Sequence, residues 1–194
     1  MKKLRQRKRH VLLMVTGCVQ AELTPKLVSD LKSFPGIGRP EVIVVATRPA
    51  LKFFNTAKIE RLTEHKVFVD HEDGTVEFPV PHINLPEWAD AIFVYPASAN
   101  TIAKCAHGLA DSLASNIVLA AKRPVFFGPT MNKAMYENPV TQHNLRLLKK
   151  AGYVLLPRKM CRVTVKATGQ VEERLFCPES MVLAMCLKLF RHSP

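Results

Sequence analysis

The stretch Val11-Leu12-Leu13-Met14-Val15-Thr16-Gly17-Cys18 decides the fold. An unbroken apolar run ends at a hydroxyl and a glycine, and Gln20-Ala21-Glu22-Leu23 through Leu27, Val28 and Leu31 then continues with helical spacing. The basic residues ahead of the run invite a reading as a lipoprotein signal ending at Cys18. The run is shorter than the roughly 7–15 residues of a signal h-region, and an amphipathic helix is not a tether. Residues 11–16 therefore read as a buried first strand with a turn at Gly17, in a chain expected to stay in the cytoplasm.

Working outward, further strand candidates lie at 41–46, 66–69, 91–95, 124–127 and 153–156. Helical patterns occupy 20–32, 48–54, 98–109, 111–121 and 138–151. Runs apolar on every residue suit strands covered on both faces, as in a parallel sheet. Their alternation with helices predicts an α/β fold with a doubly wound parallel sheet, a Rossmann- or flavodoxin-like three-layer sandwich. Residues 157–178 break the rhythm. There Val163-Thr164-Val165 and Val171 to Phe176 flank Ala167-Thr168-Gly169-Gln170, which reads as a C-terminal β-hairpin, and a helix at 179–190 closes the chain.

The 194 residues fit one domain, 1–194, with a basic tail at 1–9. Lys2, Lys3, Arg5, Arg7, Lys8 and Arg9 carry half of the net charge of +12. A basic tail on a mildly basic body, without RNP-like strands or zinc-finger spacing, gives no expectation of nucleic-acid binding. No apolar run approaches the roughly 20 residues that span a bilayer, so no membrane partner is expected. The cysteines at 18, 105, 161, 177 and 186 are odd in number and lack a C-x-x-C pair. They read as reduced thiols, and no cluster has metal-site spacing.

In doubly wound folds ligands sit outside the carboxyl ends of the strands. The first turn, Thr16 to Gln20, lacks the later glycines of G-x-G-x-x-G, and no Walker A sequence occurs, which argues against a standard dinucleotide site and an NTPase. Thr47-Arg48, after the second strand, suits either a phosphate or a helix cap. Pro96-Ala97-Ser98-Ala99-Asn100-Thr101 combines small residues with donors at a helix start, and by composition alone is a capped helix. In Gly128-Pro129-Thr130-Met131-Asn132-Lys133-Ala134-Met135-Tyr136, Asn132 lies between methionines, where an amide is costly unless it binds something.

Pro96–Thr101 resembles the P-A-S-A-N-T motif of the homo-oligomeric flavin-containing cysteine decarboxylases. Pro129-x-Met131-Asn132-x-x-Met135-Tyr136 resembles their P-x-M-N-x-x-M-W motif, with Tyr for the usual Trp. His82-Ile83-Asn84-Leu85-Pro86-Glu87-Trp88-Ala89-Asp90 is similar to the segment bearing the family's active-site histidine. The resemblance covers roughly residues 10–157. It implies FMN, less often FAD, held between subunits of a homotrimer, or of a dodecamer of four trimers. It assigns Gly17, Cys18, Val19, Thr47, Ala97, Ser98, Asn100, Thr101, Ser115 and Met131 to the flavin. His82 and Asn132 become catalytic, with Asn132, Met135 and Tyr136 at the substrate. Cys18 departs from the serine or alanine common in that turn.

The family divides by substrate. Phosphopantothenoylcysteine decarboxylases carry A-C-G-D-x-G, whose cysteine protonates the enethiol during its reduction. This chain has Lys159-Met160-Cys161-Arg162-Val163-Thr164 there, with a cysteine but without Gly-Asp-x-Gly. The hairpin looks more like the substrate clamp of peptidyl-cysteine decarboxylases of lantibiotic maturation, which places Cys161, Arg162, Val163 and Thr164 at the substrate. The implied reaction is oxidative decarboxylation of the C-terminal cysteine of a precursor peptide to an aminoenethiol. Hydride lost from the cysteine Cβ leaves a thioaldehyde beside the carboxyl-bearing Cα, which can then release CO₂. A histidine, with an ordinary pKa near 6.5, is suited to take the thiol proton. An uncharged amide such as Asn132 orients the carboxylate without stabilising it as a cation would. A phosphopantothenoylcysteine decarboxylase, a flavin prenyltransferase relative and a non-catalytic binding protein are the alternatives.

Overall fold

A computed structural model describes residues 8–70, 74–164 and 169–191. Most of the basic tail (residues 1–7) and most of the expected hairpin turn (residues 165–168, including Ala167 and Thr168) lie outside the described residues. Six strands form one parallel sheet. They are β1 (His10–Val15), β2 (Glu41–Ala46), β3 (Phe68–Val69), β4 (Ala91–Ala97), β5 (Val125–Pro129) and β7 (Val154–Leu155), in the order β3-β2-β1-β4-β5-β7. The first turn of the chain is thus followed outward in one direction to β3 and in the other to β7. The reversal falls between β1 and β4, where a crevice opens at their carboxyl ends.

Strand periodicity explains the layers. Val11, Leu13 and Val15 point to one face of the sheet and Leu12 and Met14 to the other, all fully buried. The first face packs against α1 (Thr24–Ser33), α2 (Thr56–Thr63) and α8 (Glu179–Arg191) through Leu27, Leu31, Ile59 and Val182. The second packs against α3 (Pro81–Trp88), α4 (Ala99–Ala106), α5 (Leu113–Ala120) and α7 (Pro139–Lys150) through Leu85, Ile102, Ile117 and Leu148. Each fully buried Leu or Val of this kind contributes about 1.5–3 kcal/mol relative to exposure. The expected doubly wound α/β sandwich is the observed fold.

Several elements differ from the sequence expectation. Residues 20–32 divide into a 3-10 turn at Val19–Leu23 and α1, because Pro25 can occupy a helix start but not a helix interior. The helix expected at 48–54 is a single 3-10 turn, Arg48–Lys52, and α2 begins where Asn55 accepts from the Ala57 N–H at 2.9 Å. The expected strand at 66–69 shortens to two residues. A second, antiparallel sheet joins β6 (Met131–Asn132), β9 (Val171–Phe176) and β8 (Lys159–Thr164) in the order β6-β9-β8. The second hairpin strand has the expected bounds and the first begins earlier, at Lys159, while β9 is tied to the Met131-Asn132 segment through the pairs Met131–Leu175 and Asn132–Arg174. Between β6 and α7, α6 (Lys133–Glu137) forms one short turn. Among the described residues, no helix is long and apolar enough to cross a membrane.

Candidate active site

At the reversal point, Thr16 ties β1 to β4. Its hydroxyl donates to the Pro96 carbonyl at 2.7 Å and accepts from the Ser98 N–H at 2.8 Å. Gly17 follows, packed so tightly on Pro49 that any Cβ there would collide with that ring. Ser98 then caps α4, accepting from the Thr101 N–H at 3.4 Å, and α5 opens with a reciprocal cap between Ser112 and Ser115. Two helix N-termini therefore face the same crevice.

A cavity of about 350 Å³ occupies it, lined by Gly17, Thr47, Pro49, Asp70, Ser98, Ala99, Asn100, Thr101, Lys104, Ser112, Ser115 and Met135. Six residues expected at the flavin line this cavity: Gly17, Thr47, Ser98, Asn100, Thr101 and Ser115. Met135, expected at the substrate, lines it too. Cys18, Val19, Ala97 and Met131 do not line it. Ala97 and Met131 are packed in the core, and Val19 is largely exposed. Burial pushes the Cys18 thiol up to about 11, so it is protonated at neutral pH. Thr47 stands at the N-cap of the 3-10 turn, with Arg48 after it. Thr47 makes no cap hydrogen bond and its Oγ1 is buried without a partner, while Arg48 is exposed.

The orphaned atoms test whether a cofactor fits. Buried polar groups ordinarily have hydrogen-bond partners. Here Thr47 Oγ1 and Asp70 Oδ1 have none, and both residues line the same cavity. Together with the donors at the α4 and α5 starts, they suit an elongated ligand bearing a phosphate and further hydroxyl or imide groups. Asp70, Pro49, Lys104 and Ser112 escaped the sequence reading. Asp70 reaches the cavity only because β3 lies beside β2, a neighbourhood that no local pattern encodes.

His82 and Asn132 lie elsewhere. His82 is exposed on the first turn of α3 and lines a second concavity with Pro81, Asp111, Leu113 and Asn116, among others. Ser112 lines both concavities, and Lys104 of the first pairs with Asp111 of the second at 2.7 Å. Asn132 is exposed, so the expected cost of burying its amide does not arise. Its Oδ1 caps α6, accepting from the Met135 N–H at 2.8 Å, which leaves its NH₂ group for a ligand. It lines a third concavity with Lys133, Glu137, Glu172 and Glu173. Tyr136 is half-buried. The Arg158 guanidinium donates to its hydroxyl at 3.1 Å and lies 5.5 Å above its ring. Cys161, Arg162, Val163 and Thr164 lie on β8, largely open to solvent.

A buried network fixes these parts to one another. Gln20 Nε2 donates to the Tyr95 hydroxyl and to the Cys177 carbonyl, and Thr130 Oγ1 donates to Gln20 Oε1. Tyr95 also donates to the Cys177 carbonyl at 2.7 Å. The turn after β1, the start of the Met131-Asn132 segment and the exit of β9 are thereby linked.

A family model described as Flavoprotein matches residues 2–183. The chain is 38% identical over 159 residues to the phosphopantothenoylcysteine decarboxylase of Mus musculus, covering 78% of this chain and 74% of that protein. It is 35% identical over 148 residues to the coenzyme A biosynthesis bifunctional protein of Haemophilus influenzae. That match covers 76% of this chain but only 36% of the longer protein. Among solved structures, a PPC decarboxylase complexed with pantothenoylaminoethenethiol superposes with a TM-score of 0.78 at 30% identity, over 96% of this chain and 100% of that one. The epidermin biosynthesis protein EpiD from Staphylococcus aureus gives 0.77 at 29% identity, over 91% and 99%.

Proposed function

Because the chain belongs to the flavoprotein family, we propose that it is an FMN-dependent decarboxylase of a cysteine carboxyl group. We take its substrate to be the C-terminal cysteine of a peptide. The observation that carries the flavin reading is the cavity at the β1–β4 reversal, with two buried polar atoms left for a ligand. FMN bound there supplies a two-electron sink, which a β-thiol acid needs before its carboxylate can leave. Ser98, Asn100, Thr101 and Ser115 hold the cofactor beside the helix starts, and Thr47 meets it from β2.

His82 takes the thiol proton, and the Asn132 amide holds the carboxylate by its NH₂ group while its oxygen keeps α6 capped. Their separation within one chain supports a site completed by a second copy, as in the trimer that the family resemblance implies. Around the His82 concavity, Ile83 is 48% and Leu109 55% exposed, apolar surface that self-association would cover.

For the substrate, the concavity at Asn132 carries Glu137, Glu172 and Glu173 against Lys133. Glu173 pairs with Lys133 and Arg162, and Glu172 with Arg174, so this is an open, charge-balanced surface, which suits an extended peptide. A second reading, decarboxylation of phosphopantothenoylcysteine, is supported by the names of the curated relatives and by Cys161 on β8, a candidate proton donor. Release of CO₂ by the yellow holoprotein from cysteine-terminated peptides, but not from phosphopantothenoylcysteine, is the expected outcome. The reverse preference would replace the first reading by the second, and colourless protein unable to take up FMN would refute both.

A further inference from the structure

Asp70 follows β3, the outermost strand on its side of the sheet, and is only 7% exposed. It lines the cavity, and its Oδ1 is buried with no hydrogen-bond partner. A carboxylate oxygen removed from water without a donor is among the costlier groups a fold can keep. Nothing else in the described fold uses this one. Thr47 Oγ1, on the neighbouring strand end, is orphaned in the same cavity. At the other end lie the N-termini of α4 and α5, with Asn100, Thr101 and Lys104. From β3 to β4 the sheet crosses three strand spacings, about 14 Å at roughly 4.8 Å each. The cavity thus has a carboxylate end and a donor-rich, positively polarised end, although Lys104 shares its charge with Asp111.

We propose that Asp70 binds and orients the cofactor: Oδ1 accepts a hydrogen bond from a hydroxyl or imide N–H of the flavin, and its charge sends the phosphate to the α4–α5 end. The inference rests on the flavin reading of the cavity. An anionic phosphate beside an anionic carboxylate is repelled, whereas the α4 and α5 starts attract it. A residue kept for a ligand at the expense of the empty fold has a signature that a structural residue lacks. Removing it weakens ligand binding and stabilises the unliganded protein.

The test uses the full chain stripped of flavin, titrated with FMN and with riboflavin by flavin fluorescence, together with thermal unfolding of the unliganded protein. Asp70→Leu is expected to weaken both flavins at least tenfold and equally, and Asp70→Asn, which keeps one acceptor, to weaken both by less. Either substitution should raise the unliganded Tm by about 2–4 °C for a chain of this size. Lys104→Gln should weaken FMN more than riboflavin. Unchanged flavin affinity, a lower unliganded Tm in the near-isosteric Asp70→Asn, or tighter FMN with unaltered riboflavin would each overturn the assignment. The last of these would put the carboxylate beside the phosphate. If the unsubstituted chain binds neither flavin, it is the flavin reading that fails.

Discussion

Leu13 and Val163 both lie inside β-strands, yet Leu13 is completely enclosed and Val163 is 36% exposed. β1 is paired on both sides and covered by helices on both faces, whereas β8, among the described residues, pairs only with β9 and carries its side chains largely in solvent. The first sheet holds the cavity proposed for the cofactor at its carboxyl edge, through close-packed, apolar strands. The second carries the substrate-facing groups of this account, with five charged residues among the twelve of β8 and β9: Lys159, Arg162, Glu172, Glu173 and Arg174. Rigid geometry and adaptable recognition are thus assigned to different sheets, joined through β6–β9 pairing and the Gln20 network.

The largest effects should separate the two sheets by stability. Leu13→Ala removes methyl groups from a site with no room to relax and should cost about 2–5 kcal/mol in denaturant unfolding. Val163→Ala should stay within about 0.5 kcal/mol. Comparable losses at both positions would erase the distinction. Activity should divide the other way. His82→Asn and Asn132→Asp should each lower turnover at least a hundredfold, about 2.7 kcal/mol of transition-state stabilisation, with little change in Tm. Aspartate can still cap α6, so Asn132→Asp tests the NH₂ group itself, whereas Asn132→Ala also gives up a cap worth about 1 kcal/mol. Near-normal rates in either conservative variant would remove that residue from the chemistry.

Deleting residues 164–172 should raise KM for a peptide about tenfold, roughly 1.4 kcal/mol, while flavin content stays at full stoichiometry. Loss of flavin instead would show that the hairpin supports the cavity, contrary to the division drawn above. The smallest effect concerns pH. Burial pushes Cys18 up to about 11, and Cys105, Cys177 and Cys186 up to about 12, from an ordinary 9.0. Unfolded thiols release protons from about pH 9 while the folded ones still hold theirs. Their contribution to stability is therefore full below pH 9 and lost as pH rises through 11 to 12. Unfolding midpoints measured from pH 8 to 10.5 should fall over that range, and should fall less in Cys186→Ala.

The first sheet was also the legible one. β1, β2 and β4 are apolar on nearly every residue, so their extents were readable to within a residue or two. α3 is absent from the sequence expectation; Pro81 starts this helix and Pro86 sits within it, so it lacks the unbroken helical pattern of α1 or α7. β6 is two residues long and exists only through its pairing with β9. At the site, motif residues were visible one turn at a time. Asp70 and Lys104 required the strand order, and the solvent exposure of Asn132 ran against the methionines that flank it. Local composition reports burial well where both neighbours of a strand are apolar, and poorly where a neighbour arrives from a distant part of the chain.

Mass spectrometry of a cysteine-terminated peptide incubated with the flavin-loaded protein tests the central claim most directly. The account predicts a product lighter by CO₂ plus two hydrogens, about 46 Da, formed with bleaching of the flavin under anaerobic conditions. An unmodified peptide, alongside turnover of phosphopantothenoylcysteine with loss of CO₂ alone, about 44 Da, would contradict it.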